Sequence, residues 1–231
     1  MMRPRLSVIL PVLNEAARIG AQLSHLRATA GVDEVIVVDG GSTDGTQEAV
    51  PVDRWCQLVR APRGRGTQMN AGASFATGDV LVFLHADVRL PANAAALIHA
   101  AFDATDAVAG AFRTRTVAEG SASWVRHWLW LADLRSRVSR LPYGDQALFV
   151  RRSAFARAGR FPAQPLFEDF EMARRLRRIG RIMILRETVD VSGRRFLTRP
   201  FFYLTLMNTM PLLYRLGVPV ETLNRVYGTV R

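Results

Sequence analysis

The sequence contains no lysine. All 31 basic residues of this 231-residue chain are arginine, and with 20 acidic residues they leave a net charge of +11. One explanation is codon bias in a GC-rich genome. The other is that some arginines bind an anion, because the guanidinium fork matches phosphate oxygens two at a time. A basic chain is also compatible with nucleic acid, but no recognisable nucleic-acid-binding motif is present, and we expect no nucleic-acid partner.

Cysteine is almost absent as well, with Cys56 the only example. A single cysteine excludes an internal disulfide and a cysteine-based metal cluster, so we predict that Cys56 fills the core from within a strand. The chain also lacks a signal-peptide pattern, because the apolar run 6–13 is short and leads directly into Asn14 and Glu15. We therefore expect a reducing cytoplasm as its location.

Long uninterrupted apolar runs are missing too. The most apolar segment, 196–216, is broken by Arg199, Pro200, Asn208, Pro211 and Arg215. Because a spanning helix needs about 20 predominantly apolar residues, we predict no transmembrane span here. A packing helix, or a helix at a dimer or membrane interface, is the expectation, and the aromatic residues of the segment are compatible with a homodimer.

The most informative stretch that is present is 80–88, in which five apolar residues end abruptly in His85, Ala86 and Asp87. Such a run, rich in β-branched and aromatic residues, predicts a strand buried on both faces. A carboxylate just past the carboxyl end of such a strand lies where open α/β sheets bind ligands. Asp87 is therefore a candidate ligand-binding residue.

Strands and helices alternate through the first 104 residues, which predicts βαβ units and a parallel sheet. We predict strands at 6–10, 35–38, 57–60 and 80–84. The first predicted helix follows an N-cap at Asn14, and the second runs from Thr43 or Asp44 through Val50. The third follows the predicted strand 57–60 and continues through Phe75, and the fourth runs from Pro91 through Ala101. Polar residues follow the strands, namely Asn14 and Glu15, Asp39, Arg65 and Asn70, and Asp87. Together they would line a nucleotide-sized crevice at one edge of the sheet.

The second half follows a different pattern. We predict a strand at 107–114, a Trp-bearing helix at 121–140, and a loop at 142–146 that enters a strand at 147–150. A helix through Ile179, ended by Gly180, and a strand at 182–185 complete it. Glu171 and Arg175 are spaced for an i, i+4 ion pair.

Four motifs now stand in order: Val-Ile-Leu-Pro-Val-Leu-Asn-Glu (8–15), Val-Val-Asp-Gly-Gly-Ser-Thr-Asp-Gly-Thr (37–46), Phe-Leu-His-Ala-Asp (83–87) and Phe-Glu-Asp-Phe-Glu (167–171). Over residues 5–185 the chain resembles glycosyltransferase family 2, the inverting nucleotide-sugar transferases of the GT-A fold. The resemblance implies an α/β fold with a mixed, mainly parallel sheet. Its Rossmann-like nucleotide-binding half would be 1–104 and its acceptor half 105–195, with a C-terminal helical segment at 196–231.

The resemblance also implies roles in binding the nucleotide-sugar. Glu15 and Asp39 would hold the base and ribose, most often uridine, and Arg65 and Asn70 would lie along the nucleotide and diphosphate. The remaining donor-side residues in the matched motifs are Pro11, Asn14, Gly40, Gly41, His85 and Ala86. Asp87 would bind Mg²⁺ or Mn²⁺, which neutralises charge on the leaving diphosphate. The family's Asp-X-Asp-type motif has His85 at its first position here, so the metal assignment rests on Asp87, and packing at the strand end is the alternative role for His85.

On the acceptor side, Asp169, in the pair Glu168-Asp169, matches the family's catalytic base. Both carboxylates also suit the positive end of a helix. Asp145 and Gln146, in the loop Tyr-Gly-Asp-Gln, would face the sugar or acceptor, although an ordinary turn explains that loop equally well.

A narrower resemblance rests on residues 64–73, 143–146, 168–176, 192–196 and 214–218. These segments are similar to a bacterial subgroup of selenosugar synthases, also labelled arsenosugar-associated glycosyltransferases, which join selenophosphate to UDP-N-acetylglucosamine or UDP-glucose. The candidate arginines for this small anion are Arg113, Arg152, Arg174, Arg175, Arg194 and Arg195. Since such a nucleophile is already ionised, Asp169 would orient the acceptor or sugar and need not act as a strong base.

Two other hypotheses remain. The first is a transferase with a lipid, carotenoid or other hydroxyl acceptor at the membrane surface, suggested by the Trp-bearing helix and the apolar C-terminal segment. The second is a non-catalytic nucleotide-sugar-binding subunit.

Overall fold

The protein is described from a computed structural model, in which the described residues are 3–117, 133–134, 136–137, 139, 141–194 and 200–228. Most of the helix predicted over 121–140, including Trp124 and Trp128, lies outside the described residues, as does Arg195. Residues 133–134 and 136–137 of that predicted helix are described and are helical.

The described elements alternate as expected for an α/β protein. The strands are β1 Leu6–Val12, β2 Glu34–Asp39, β3 Cys56–Arg60, β4 Val80–Phe83, β5 Val88–Arg89, β6 Ala109–Val117, β7 Leu148–Arg151 and β8 Ile182–Ser192. The helices are α1 Ala16–Ala28, α2 Arg65–Phe75, α3 Ala94–Asp103, α4 Arg152–Arg157, α5 Glu168–Ile179, α6 Pro200–Arg215 and α7 Val220–Gly228. Gly144–Gln146 forms one 3-10 turn.

In the described part of the chain these strands form a single sheet in the order β3-β2-β1-β4-β7-β6-β8-β5. The first four are mutually parallel, as predicted. Strand β7 runs antiparallel to β4 and β6, β8 runs parallel to β6, and β5 ends the sheet antiparallel to β8. The sheet is therefore continuous across the two halves predicted at 1–104 and 105–195.

The parallel strands bring their carboxyl ends to one edge. Val12 is in register with Asp39, and Asp39 with Arg60, while β4 ends at Phe83, just before His85. Strands β1, β2 and β4 are buried throughout. Because the backbone direction is shared, polar residues that are far apart in sequence meet at this edge.

Apolar clusters cover both faces of the sheet. Alternate residues of β1 point to opposite faces, so that Val8 and Leu10 join one cluster and Ile9 the other. Cys56 is fully buried in the first cluster, which confirms it as core filler, and burial raises the pKa of its thiol to about 11.

A third apolar cluster joins the C-terminal segment to the start of α5. Phe170 packs there with Leu206 and Met210 of α6 and Leu223 of α7. The segment 196–216 thus contains a packing helix, one of the alternatives predicted for it. No helix among the described residues is long and apolar enough to cross a membrane.

Three predictions about helix starts are wrong, two of them just after β1 and β2. The helix expected from Thr43 or Asp44 through Val50 is only a turn. The Asp44 carboxylate accepts hydrogen bonds both from Thr46 N (3.1 Å) within that turn and from Ala16 N (3.0 Å) at the start of α1. Asn14 is not the N-cap of α1: its φ is 55°, and Glu15 holds that position.

Other helix and strand boundaries also differ from the predicted ones. Helix α3 begins at Ala94 and not at Pro91. Strand β8, predicted at 182–185, continues to Ser192 because it pairs with β6 along most of its length. The charged pair Arg186 and Glu187 conceals that continuation in the sequence, since both side chains are exposed.

Candidate active site

A cavity of about 850 Å³ opens at the carboxyl edge of the sheet, beside the ends of β1 and β4. It contains many of the residues predicted from the motifs. The predicted residues among its lining are Pro11, Asn14, Glu15, Arg65, His85, Ala86 and Asp87. The structure therefore brings together residues from three separate motifs, as expected when parallel strands end side by side.

A second cavity of about 470 Å³ lies at the ends of β2 and β3 and is lined in part by Asp39 and Gly41. Asp39 is only 1 % exposed. Its carboxylate accepts hydrogen bonds from Gly41 N (3.0 Å), Ser42 N (3.1 Å) and Gln47 Nε2 (2.8 Å). Asp39 thus shapes the loop that forms this cavity as well as lining it.

The loop after β2 is bonded to the start of α1. Asn14 N donates to Ser42 Oγ (2.8 Å), and Asn14 Oδ1 accepts from Thr43 N (2.9 Å). Glu15 N donates to Thr46 Oγ1 (2.8 Å). These contacts hold Asn14 in a left-handed conformation that asparagine tolerates better than most residues. They also fix where the Glu15 side chain enters the cavity.

Arg65, the first residue of α2, is held by a buried carboxylate. Its Nε lies 2.8 Å from Glu168 Oε1, and Glu168 is 1 % exposed. Burial alone would lower the pKa of Arg65, but the charges of Glu168 and Asp169 outweigh it and raise that pKa. Glu168 is therefore an anchor that aims a permanent positive charge at the cavity, and the ion pair links the donor side to α5.

His85 follows β4, in surroundings that favour its uncharged form. Burial and the positive charge of Arg65 lower its pKa, against opposing contributions from Asp87, Asp169 and Asp145. An uncharged imidazole has one nitrogen that accepts a hydrogen bond or binds a metal.

Gly144 is the point at which His85 and Asp169 meet. A Cβ added to it would lie 2.8 Å from His85 Cε1 and 2.8 Å from Asp169 Oδ2. Asp169 Oδ2 accepts a hydrogen bond from Gly144 N, and Oδ1 accepts one from Phe170 N (2.7 Å). Glycine at position 144 therefore leaves the space that His85 and Asp169 occupy next to the backbone.

Two predicted ligand-binding amides are committed to the backbone. Asn70 donates from Nδ2 to Phe161 O (2.9 Å) and accepts at Oδ1 from Phe161 N (3.0 Å). Gln146 is 1 % exposed, donates to Phe112 O (2.8 Å) and accepts from Tyr143 N (2.9 Å). The structure thus gives both side chains a positioning role in place of the predicted contact with ligand.

The predicted anion-binding arginines do not form one cluster. Arg152 donates to Gly78 O (2.7 Å), just before β4, and is therefore at the opposite edge of the sheet from the cavity. Arg174 and Arg175 lie beside Glu171 on α5, at 3.2 and 3.8 Å from its carboxylate. The prediction is wrong for Arg152, because its guanidinium binds the backbone behind the sheet.

The remaining acceptor-side predictions lie nearer the site. Arg194 is 3.7 Å from the Glu15 carboxylate, at the cavity margin. Asp145 is close enough to His85 to act on its pKa. The Nε atom of Arg113 is buried on β6 without a hydrogen-bond partner in the described structure.

Four further residues complete the site. Gln68 is 3 % exposed and donates to Val12 O (2.9 Å) and Val38 O (2.8 Å), which holds the ends of β1 and β2 together. Arg63, Gln164 and Asn224 line the main cavity. Arg63 lies in the Gly/Arg-rich stretch 62–66, a composition that suits phosphate binding. No sequence signal joins Asn224 of α7 to strand ends more than a hundred residues earlier.

The sequence profile of Glycosyl transferase family 2 matches residues 7–161, more than half of the chain. The chain belongs to glycosyltransferase family 2. The match includes the motifs at the ends of β1, β2 and β4. Gln164, Glu168, Asp169 and Asn224 lie beyond it.

Curated relatives support the family. A PGL/p-HBAD biosynthesis glycosyltransferase of Mycobacterium tuberculosis is 33% identical over 171 residues, 69% of this chain. The chain spans 64% of that relative's length. A glucosyl-3-phosphoglycerate synthase of Mycolicibacterium smegmatis is 35% identical over 95 residues, which are 37% of this chain and 31% of the relative.

Solved structures confirm the GT-A fold. The mannosyltransferase PcManGT from Pyrobaculum calidifontis, in complex with GDP-Man and Mn²⁺, superposes with a TM-score of 0.68 at 24% identity, covering 92% of this chain and 63% of that one. Staphylococcus aureus TarS in complex with UDP-GlcNAc gives a TM-score of 0.62 at 19% identity, covering 82% and 58%.

The side chains at the main cavity supply only part of the ligand set that a divalent cation needs. Asp87 supplies a carboxylate and His85 a neutral imidazole, a pair that suits Mn²⁺ better than Mg²⁺, which prefers oxygen ligands. Among the described residues no group of three or more His, Cys, Asp or Glu side chains could hold a metal. A cation here would need further ligands from the substrate, as the oxygens of a nucleotide diphosphate supply.

Proposed function

We propose that this chain transfers a hexosyl group from UDP-N-acetylglucosamine or UDP-glucose to selenophosphate, a small anionic acceptor, with inversion at the anomeric carbon. The observation that carries the proposal is the single cavity in which Glu15, Arg65, His85 and Asp87 converge. It combines hydrogen-bond acceptors for a nucleoside with positive charge for a diphosphate and with Asp87, a carboxylate that would bind a cation.

The donor would extend across both cavities. The smaller cavity, with Asp39 and Gly41, suits the uracil base, and Glu15 would accept hydrogen bonds from the ribose. Arg63 and Arg65 then lie toward the diphosphate. Asp87, with His85, would hold Mg²⁺ or Mn²⁺, which would neutralise charge on the departing UDP.

The transfer exchanges one bond for another. A selenium lone pair of selenophosphate forms the C–Se bond at the anomeric carbon while the bond from that carbon to the UDP oxygen breaks, and UDP leaves with the electron pair. No proton must be removed from an ionised nucleophile. Asp169, held by Gly144 N and Phe170 N, would therefore position the sugar or acceptor.

A small anionic acceptor is favoured by charge and by similarity. Arg63 and Arg65 face the cavity, and Arg194 is at its margin. One relative, the glucosyl-3-phosphoglycerate synthase, carries a small phosphorylated compound in its name. The cytoplasmic location expected from the sequence remains a prediction.

A UDP-release assay tests the proposal. Purified protein with Mn²⁺ is given UDP-N-acetylglucosamine or UDP-glucose, with selenophosphate, phosphate, a simple alcohol or no acceptor. We expect release that depends on selenophosphate, with a selenium-containing sugar detected by mass spectrometry. Equal release with every acceptor would contradict the selenosugar assignment while leaving the transferase intact.

A lipid, carotenoid or other hydroxyl acceptor at a membrane surface is the second candidate, favoured by the exposed leucines at the end of α6. The same assay with acceptor-loaded vesicles decides between the two. UDP binding without release under any condition would indicate the third hypothesis, a non-catalytic subunit.

A further inference from the structure

One face of helix α6 (Pro200–Arg215) is apolar and open to solvent. Leu212, Leu213 and Leu216 are 56 %, 39 % and 72 % exposed, and Phe202 is 41 % exposed. Six exposed positions lie at helical spacing along one side, the last of them just past the end of α6: Phe202, Thr205, Thr209, Leu212, Leu213 and Leu216. We call these six residues the α6 stripe.

The opposite side of α6 holds the helix against the protein. Leu206 and Met210 are 8 % and 4 % exposed and pack in the cluster with Phe170. Tyr214 stacks on Phe167 with ring centroids 4.7 Å apart. The stripe is therefore presented outward by a helix whose inner face is already satisfied.

The stretch of sequence that contains the stripe carries charge of one sign. Residues 194–220 contain four arginines and no Asp or Glu. Arg215, at the end of α6, is exposed, and its guanidinium lies 5.0 Å above the ring of Phe170. A stripe that has no carboxylate of its own and ends beside an exposed arginine is complementary to an anionic, partly apolar surface.

A second copy of the chain fits this face less well. Sixteen residues of helix make a strip about 24 Å long and about 10 Å wide. Its area of about 240 Å² is far below the roughly 800 Å² per partner of a stable interface. Pairing would also bring together two chains of net charge +11.

We propose that the α6 stripe docks this protein on the surface of an anionic phospholipid bilayer. The leucines would enter the boundary between headgroups and acyl chains, with α6 lying in the plane of the surface, while Arg215 contacts lipid phosphates. Asn224 of α7, the next helix along the chain, lines the cavity, which would place the cavity near the bilayer. The docking does not depend on which acceptor is used.

Vesicle co-sedimentation of the full chain tests this, with phosphatidylcholine vesicles and with vesicles that also contain phosphatidylglycerol. The stripe variant combines Leu212→Ser, Leu213→Ser and Leu216→Ser. The matched control combines Val52→Ser and Phe75→Ser, at residues 68 % and 55 % exposed and outside the stripe. Circular dichroism checks that both variants are folded.

We expect the wild type to bind the phosphatidylglycerol vesicles and to be released by high salt, since exposed charges are screened. The stripe variant should bind at least about tenfold more weakly, and the control should bind like the wild type. Failure of the wild type to bind, or equal binding by the stripe variant, would overturn the proposal. So would light scattering that shows a dimer of the wild type and a monomer of the stripe variant, because the stripe would then join two copies.

Discussion

The two halves of the sheet differ in how well charge and motif locate the site. In the first half, residues predicted from strand ends, such as Glu15 and Asp87, line one cavity. In the second half, the arginines chosen for an anion are dispersed, with Arg152 behind the sheet and Arg174 beside Glu171. A sequence position just after a parallel strand therefore predicts that a side chain lies at the site. A high content of arginine does not predict which arginines lie there.

The largest expected effect tests the first half directly. Asp87→Ala should reduce UDP release about 100-fold or more, because it removes the carboxylate that would bind the cation at the end of β4. Asp103→Ala, at the exposed end of α3, is the control and should be near normal. Near-normal turnover of Asp87→Ala would show that the cation site is elsewhere.

The ion pair between the halves gives the next largest effect. Glu168→Gln should destabilise the fold by about 3 kcal/mol, since it leaves Arg65 facing a neutral amide in a buried place. Urea unfolding measures this. The control Glu171→Gln, which loses only exposed pairs with Arg174 and Arg175, should cost less than about 1 kcal/mol. Equal losses of unfolding free energy in the two variants would show that the buried ion pair between Arg65 and Glu168 stabilises the fold no more than the pairs of Glu171 do.

A substitution at Gly144 tests whether His85 of the first half and Asp169 of the second half must lie close to this residue for activity. Gly144→Ala would place a methyl group 2.8 Å from both His85 and Asp169, and we expect kcat to fall about tenfold as those groups separate. Gly20→Ala on α1, where a Cβ meets nothing within 4 Å, should leave kcat unchanged. Steady-state kinetics with saturating UDP-sugar measure kcat for both variants. Equal kcat values for Gly144→Ala and Gly20→Ala would show that His85 and Asp169 need not approach Gly144 this closely.

The smallest effect concerns the opposite edge, where β2 begins. Burial alone would raise the pKa of Glu34, but hydrogen bonds from Ser7, Thr77 and Gly78 outweigh it, and that pKa is lowered. A lowered folded-state pKa stabilises the protein above the unfolded value, near pH 4.5. This stabilisation is lost as the pH falls through the folded value.

Glu34→Gln should therefore cost about 1 kcal/mol of unfolding free energy at neutral pH, with the deficit shrinking in acid. Urea unfolding at several pH values measures the difference, with exposed Glu187→Gln as control. A deficit that does not change with pH would show that Glu34 does not titrate as described. Turnover should change little, because Glu34 lies at the edge away from the cavity.

The sequence by itself determined the parallel half of the fold and the strand-end residues of the site. Apolar runs such as 80–84 are local signals, and the shared direction of parallel strands then places Asp39 and Asp87 at one edge without further information. The motifs also identified α5 and its first residues, Glu168 and Asp169, because helix N-terminal carboxylates are a local pattern.

Only the tertiary structure decided which polar groups are available. Asn70 and Gln146 read as ligand-binding amides, yet each is bonded to a backbone segment distant in sequence. Asp44 binds the start of α1 through Ala16 N as well as the turn that follows it, and Asn224 reaches the cavity from α7. Hydrogen bonds and packing between remote segments decide these roles, and no local sequence pattern records which partner a side chain meets.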